Sequence, residues 1–315
     1  MKFLITGPGA MGCLFASRLA KAGHGVTLLD HDPGRAERLN LQGIRVEGVS
    51  GEYTVRIPVV TGTAHEKPDV VLICVKAYQT QRATADLAAF LGPETALLTL
   101  QNGLGNLEIL SQRFGKDRVI GGVTAQGATL LGPGHIRHAG EGETIIGPEN
   151  SPGVPVAEVV DAFNNAGFPT RMVENVNDLI WGKLIINVGI NALTAITRLK
   201  NGRLPELDGT RWVMEAAVDE ALRVADAGGV RLPYPDPQER VKTVCRNTAE
   251  NIASMLQDVL KQRRTEVSYI NGAIVREGEK LDIPTPVNHT LTCLVQAMEE
   301  TYRERIAEAA APHAG

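Results

Sequence analysis

The chain has 315 residues and a net charge of −4, with lysines and arginines spread among the acids and no basic or aromatic-basic block; this argues against a nucleic acid or an anionic membrane surface as partner and leaves small molecules. At this length two domains with real cores fit, since domains run roughly 100 to 200 residues. Four cysteines, Cys13, Cys74, Cys245 and Cys293, lie far apart with no C-x-x-C pair, which speaks for reduced thiols rather than a disulfide framework or metal site.

The amino terminus enters a strand without a charged leader, and no run of about 18 uninterrupted apolar residues occurs, so a soluble cytoplasmic protein is expected. Residues 2–6 read as a short apolar strand, followed by Gly7-Pro8-Gly9-Ala10-Met11-Gly12, an alanine-rich amphipathic helix to about Ala22 and a second strand at 26–30. This is the G-x-G-x-x-G pattern in its required context. Gly7 permits the tight turn, Gly9 lets the backbone approach a pyrophosphate, and Gly12 lets the helix pack closely on the strand. The first amides of the helix then face the phosphates, aided by the helix dipole.

Further strands at 70–75 and 96–100 run without alternation, as strands buried on both faces do. Helices near 79–91 and 104–114 complete the βα alternation of a doubly wound parallel sheet. Loops at the carboxyl ends of such strands line the ligand crevice. Two of them carry chemistry: Lys76 suits cofactor phosphate or ribose, and Asn102 suits the nicotinamide or the substrate. Taken singly, each equally suits a loop-stabilising role.

After residues 118–123 the pattern turns to short strands at 128–131, 135–138 and 144–147, read as a meander or antiparallel extension of the sheet. His135 and His138 are expected on one face of a strand, as surface residues, because no further ligands accompany them for a metal. A loop at 147–153, a helix at 156–166 and a strand at 169–173 close a first domain of residues 1–174.

Residues 175–315 read as an all-α second domain, with helices near 177–198, 209–228, 237–261, 265–280 and 286–309. In the first of these, Lys183, Asn187 and Asn191 recur every four residues and form one polar stripe through an apolar helix. Buried carboxamides and an ammonium need partners, so something polar is expected to face them. Ser254 and Glu266 stand in two further clusters; alone they read as an ordinary helical serine and a helix-starting carboxylate. Residues 307–315 are expected to fray.

Taken together, Gly7–Gly12, Lys76-Ala77, Asn102-Gly-Leu-Gly105, Trp181-Gly-Lys183 with Asn187, Ile190-Asn191-Ala-Leu-Thr-Ala195, Asn251-Ile-Ala-Ser254-Met-Leu-Gln-Asp258 and Arg264-Thr-Glu266 leading to Ile270-Asn-Gly272 resemble the ketopantoate reductase (2-dehydropantoate 2-reductase) family along nearly the whole chain. The resemblance implies a Rossmann-type sheet followed by an all-α domain, and reduction of ketopantoate to pantoate by NADPH on the route to pantothenate and coenzyme A. By position it implies Lys183 as general acid, with Asn102 and Glu266 among the catalytic residues. It also places Asn187, Asn191, Ser254 and Glu266 on the 2-keto acid, and Lys76 and Asn102 near the cofactor. A homodimer is compatible with it. The competing expectations are a mandelate-type D-2-hydroxyacid dehydrogenase of the same architecture and, from a different class, a non-catalytic dinucleotide-binding regulator.

One stretch departs from the family. Members using NADPH commonly carry an arginine just after the second strand, but here Asp30 ends the strand and His31 follows. A carboxylate there accepts ribose hydroxyls and repels a 2′-phosphate, which favours NAD. Arg35 and Arg38 are expected within reach of a phosphate to offset it, so NADP remains the family expectation and NAD the alternative.

Overall fold

The structure is a computed structural model that describes residues 1–62, 66–85, 87–149 and 154–304. Its first elements follow the glycine pattern: β1 (Lys2–Thr6), α1 (Ala10–Lys21), β2 (Gly25–Leu29), α2 (Pro33–Gln42), β3 (Ile44–Gly48), β4 (Tyr53–Val55), β5 (Val59–Val60) and β6 (Val70–Ile73). Then come α3 (Thr80–Ala85), β7 (Ala96–Thr99), α4 (Asn106–Phe114), β8 (Val119–Thr124), β9 (Gly127–Gly132), β10 (His135–Gly140), β11 (Thr144–Pro148), α5 (Val156–Asn165) and β12 (Thr170–Met172). The remainder is helical: α6 (Asn177–Thr197), α7 (Asp208–Ala227), α8 (Pro237–Asn247), α9 (Ser254–Leu260), α10 (Asn271–Lys280) and α11 (Pro286–Glu300).

The large sheet has the order β12-β11-β8-β7-β6-β1-β2-β5. From β5 to β8 all neighbouring strands are parallel. That run has the doubly wound order in which the chain reverses direction between β1 and β6, and the crevice at such a switch point is where dinucleotides bind. β11 joins β8 antiparallel, and β12 extends the edge parallel to β11. The apolar runs of β1, β6 and β7 are buried on both faces, as helices on either side of a parallel sheet require.

Several expectations are corrected here. β9 and β10 do not extend the main sheet: they form a second sheet, β4-β3-β10-β9, with two strands from a stretch where none was predicted. His135 and His138 are three residues apart, and a strand repeats every two, so they face opposite ways. His135 joins Arg137 on Glu47, whereas His138 is fully buried and its Nε2 meets Gln126 Oε1 at 2.9 Å. The helix expected at 79–91 is a short α3 flanked by 3-10 turns, and the one at 237–261 is broken into α8 and α9. The helix expected at 265–280 begins only at Asn271, after a 3-10 turn. Residues 150–153 of the loop expected at 147–153, and the last five of the helix expected at 286–309, lie outside the described residues, as does the carboxyl-terminal segment 307–315.

By compactness the chain divides into one unit of residues 1–184 with 230–233 and another of residues 185–229 with 234–315. The division falls inside α6, ten residues beyond the boundary expected at 174/175. The core of the first unit gathers Phe3, Phe15, Phe163 and Phe168 between α1, β1 and α5. In the second, Met214, Val218, Val241, Ile274 and Val295 are buried. α6 is long and apolar enough to cross a membrane, but most of it is buried inside the protein. All four cysteines are free.

Candidate active site

The glycine loop fits a dinucleotide on its own geometry. Gly7 has φ +84°, a left-handed value, and a Cβ there would come within 2.8 Å of Val75. At Gly12 a Cβ would strike Gly7 O at 2.1 Å, so only glycine allows α1 to sit this close to β1. At Gly9 an added Cβ meets nothing within 4 Å: the space over that backbone is open, as a pyrophosphate lying on it requires. Behind the loop, burial pushes the Cys13 thiol up to about 12 and raises that of Cys74. Both are protonated, non-nucleophilic side chains.

At the end of β2 the acid and one of the arginines meet each other. Asp30 is buried, and its carboxylate takes both Nε and an Nη of Arg35 as well as Asp32 N at 3.0 Å. That hydrogen-bonded ion pair holds the Arg35 guanidinium above its ordinary value. The acid expected on the ribose hydroxyls and the arginine expected to offset it toward a phosphate are bound to one another. The cause is local: Asp32 caps α2 by accepting Arg35 N at 3.0 Å, and the first turn of α2 swings Arg35 back over Asp30. His31 is exposed beside the pair at 3.6 Å. Arg38 is exposed and makes no ion pair among the described residues.

Lys76 and Asn102 lie in the loops after β6 and β7, the positions their strands predicted. Gln101 Nε2 donates to Val75 O at 2.7 Å and so joins the two loops. The Asn102 carboxamide makes no hydrogen bond among the described residues, while its carbonyl accepts Asn106 Nδ2 at 3.1 Å.

In the same unit, Lys183 Nζ donates to the main-chain carbonyl of Thr124, at the end of β8, at 2.9 Å. Thr124 is opposite Thr144 in the β8–β11 ladder, and the two hydroxyls meet at 2.8 Å. Gln126 N adds a bond to Thr124 Oγ1 at 3.2 Å. Gln126 is held in turn by Gly142 O and by His138. Burial, with the nearby Arg18 charge, keeps the His138 imidazole below its usual range. The ammonium of Lys183 is thus presented from a fixed strand end.

The helical unit supplies the other residues. Asn191 is buried, Asn187 half-buried with its Nδ2 enclosed, and neither carboxamide finds a partner among the described residues. Of the stripe, Lys183 has the expected polar partner in the Thr124 carbonyl, and the two carboxamides have none among the described residues. Asn271 Nδ2 bonds Val188 O at 3.3 Å, which ties the start of α10 to α6 between those two asparagines. The chain into α10 carries Glu266, which is buried and whose carbonyl accepts Tyr269 N and Ile270 N. Ser254 begins α9 with an exposed hydroxyl.

Asn201, absent from the sequence-based set, is buried after α6 with Oδ1 unpartnered. Its Nδ2 donates to Thr248 Oγ1 and its N to Asn251 O, so it lies against the segment leading to Ser254. Asn-Gly after an apolar helix reads as a turn, and only the burial distinguishes it. Among the described residues no cluster fit to hold a metal is present.

A doubly wound sheet with this glycine loop and a lysine held at the end of β8, followed by a helical unit carrying unpaired carboxamides, defines a dinucleotide-binding protein of the two-part oxidoreductase build. Residues 3–151 match the family model described as ketopantoate reductase PanE/ApbA, and residues 175–299 match its C-terminal model. The chain belongs to the ketopantoate reductase family. It is 38% identical to a 2-dehydropantoate 2-reductase of Halobacterium salinarum over 302 residues, covering 94% of this chain and 98% of that one. Among solved structures, a PanE/ApbA family ketopantoate reductase from Ralstonia eutropha has a TM-score of 0.89 at 35% identity, covering 96% of this chain and 100% of its own. A D-mandelate dehydrogenase solved with NADH and anilino(oxo)acetate has a TM-score of 0.89 at 26% identity, with coverage of 96% and 100%.

Proposed function

We propose that the chain reduces 2-dehydropantoate (ketopantoate) to (R)-pantoate with a hydride from a nicotinamide cofactor, in pantothenate and coenzyme A biosynthesis. The observation that carries this reading is the Lys183 ammonium held on the Thr124 carbonyl, on the same helix as the unpaired carboxamides of Asn187 and Asn191. Kinship to 2-dehydropantoate 2-reductases over nearly the full chain supports it.

When bound, the dinucleotide supplies the hydride. The residues of this chain do the rest. Gly7 to Gly12 with Pro8, Ala10 and Met11 form the pyrophosphate turn, and Lys76 and Asn102 take the cofactor from the two adjoining loops. As hydride reaches the keto carbon, the carbonyl pair moves onto oxygen, and that oxygen takes a proton from Lys183 Nζ, leaving an amine that solvent reprotonates. The positive charge of Lys183 also stabilises the growing negative charge. Asn187, Asn191, Asn201, Ser254 and Glu266 are assigned to the carboxylate and hydroxyl of the keto acid, whose fixed orientation lowers the entropic part of the barrier.

For the cofactor we propose that NADPH is used with weak discrimination against NADH. The Asp30–Arg35 pair compensates the Asp30 carboxylate, so that this acid neither repels a 2′-phosphate as a lone charge nor stands free for the ribose hydroxyls.

A mandelate-type D-2-hydroxyacid dehydrogenase is the second reading, supported by the equal TM-score of that enzyme. Steady-state kinetics on ketopantoate and a panel of 2-keto acids with aliphatic and phenyl side chains, each with NADPH and NADH, tests both. The reading requires the highest kcat/KM on ketopantoate; a preference for the phenyl keto acid reverses it, and no turnover of any 2-keto acid refutes both in favour of a non-catalytic binder.

A further inference from the structure

We propose that Thr80, Gln101 and Asn106, none of them in the assigned site, are positioning residues that lock the Lys76 and Asn102 loops together before the cofactor arrives. The inference rests on the dinucleotide reading above and adds the device that shapes that half of the site.

The strands leading into these loops are parallel neighbours whose pairing ends at Ile73 and Thr99. Past that point the loops are joined by side chains. Thr99 Oγ1 donates to Gln101 Oε1 at 2.9 Å. The Gln101 amide spends its hydrogens on Val75 O at 2.7 Å and Thr80 Oγ1 at 2.9 Å. The Thr80 hydroxyl donates onward to Asn106 Oδ1 at 2.9 Å, and Asn106 Nδ2 donates to Asn102 O at 3.1 Å. Thr80, Thr99 and Asn106 are buried.

Every link has a defined direction. Turning either amide over would set donor against donor or acceptor against acceptor, so the network admits one arrangement of each. Its two ends are main-chain carbonyls, that of Val75 next to Lys76 and that of Asn102 itself. The Asn102 side chain has no partner of its own among the described residues, so its placement is inherited from the backbone that Asn106 holds. Loops fixed beforehand spare the cofactor the entropy of ordering them.

The test uses the full chain. Thr80→Val removes the central hydroxyl at nearly constant volume, and Thr80→Ser restores it. Dissociation constants for NADPH and NADH are measured by nicotinamide fluorescence, and amide hydrogen exchange is followed in the cofactor-free protein. Thr80→Val is expected to weaken both cofactors about tenfold, as loss of one well-placed hydrogen bond does, and to speed exchange in residues 75–80 and 101–106 while distant strands stay protected. Thr80→Ser should stay within about twofold of the wild type, the residual cost of a missing methyl being far smaller than that of the bond. A folded Thr80→Val protein with wild-type cofactor binding overturns the proposal, even if its Tm has fallen. Should Thr80→Val not fold, Gln101→Met at the half-buried end cuts the tie to Val75 and is held to the same outcomes. A wild-type chain that binds no nicotinamide dinucleotide overturns this inference together with the dinucleotide reading; wild-type binding and turnover with an indifferent Thr80→Val overturns the network alone.

Discussion

Replacing Lys183 by methionine isolates the ammonium. The unbranched stem keeps its length and apolar packing, while the donor to the Thr124 carbonyl at 2.9 Å is lost. A buried carbonyl left without a donor costs about 1–3 kcal/mol, against a typical stability of about 5–15 kcal/mol, and the variant should fold. The chemical step loses more. A general acid contributes about 10²–10⁴ in rate, which at about 1.36 kcal/mol per decade is about 2.7–5.4 kcal/mol of transition-state stabilisation. Cofactor dissociation constants should hardly change, because the glycine loop lies on other elements. Lys183→Arg separates charge from proton, since a guanidinium keeps the charge but has a pKa above about 12. If proton delivery dominates, it should stay near the methionine level, and if charge dominates it should recover part of the rate. The assay pairs steady-state turnover of ketopantoate with thermal melting and cofactor titration. Turnover within tenfold of wild type in folded Lys183→Met would sink the assignment of Lys183.

Cofactor choice follows from the Asp30–Arg35 pair: kcat/KM at saturating keto acid should differ by less than about a hundredfold between NADPH and NADH, roughly 2.7 kcal/mol. A larger NADPH preference would show that the basic residues alone decide, and Asp30→Ala should move the ratio toward NADPH. Ser254→Ala and Glu266→Ala should act on the keto acid and not on the dinucleotide, and their losses should be coupled; a double variant showing the simple sum of the single ΔΔG‡ values speaks against a shared substrate network. His138 makes stability fall as pH falls. Its folded pKa lies below the unfolded one, so below about 6.5 the unfolded chain binds the proton first, and the loss grows until the folded pKa is reached. Denaturant titrations between pH 8 and 5.5 should show a shallower slope for His138→Gln than for wild type; equal slopes would place the effect on other groups.

What the sequence revealed depended on how local the cause was. Gly7, Gly9 and Gly12 are dictated by one turn and the helix after it, and the stripe of Lys183, Asn187 and Asn191 by one helix, so both were readable. The Asp30–Arg35 pair was also local, through the Asp32 cap, but its energetic balance against a ribose was not visible in composition. β3 pairs with β10 across roughly ninety residues, and short strands without such a partner in view give no periodic signal. The break between α8 and α9 has no glycine or proline; it coincides with the turn at 201–203, which bonds Thr248, Ala249 and Asn251. Asn271 is an ordinary residue until Val188 and Asn288, 83 and 17 positions away, bond to it.

The polar stripe of α6 has a consequence outside catalysis. At 21 residues, α6 has the length and apolar content of a membrane span, and a nascent helix of that kind is a candidate for insertion into a bilayer. A lysine seven residues into such a segment raises the cost of insertion, by less than the about 2.5–3.5 kcal/mol of a central one, and two carboxamides one and two turns further on, at and beyond the centre, add to it. The side chains of the stripe therefore weigh against insertion as well as serving the proposed chemistry, and a variant that replaced all three by leucine would remove both at once.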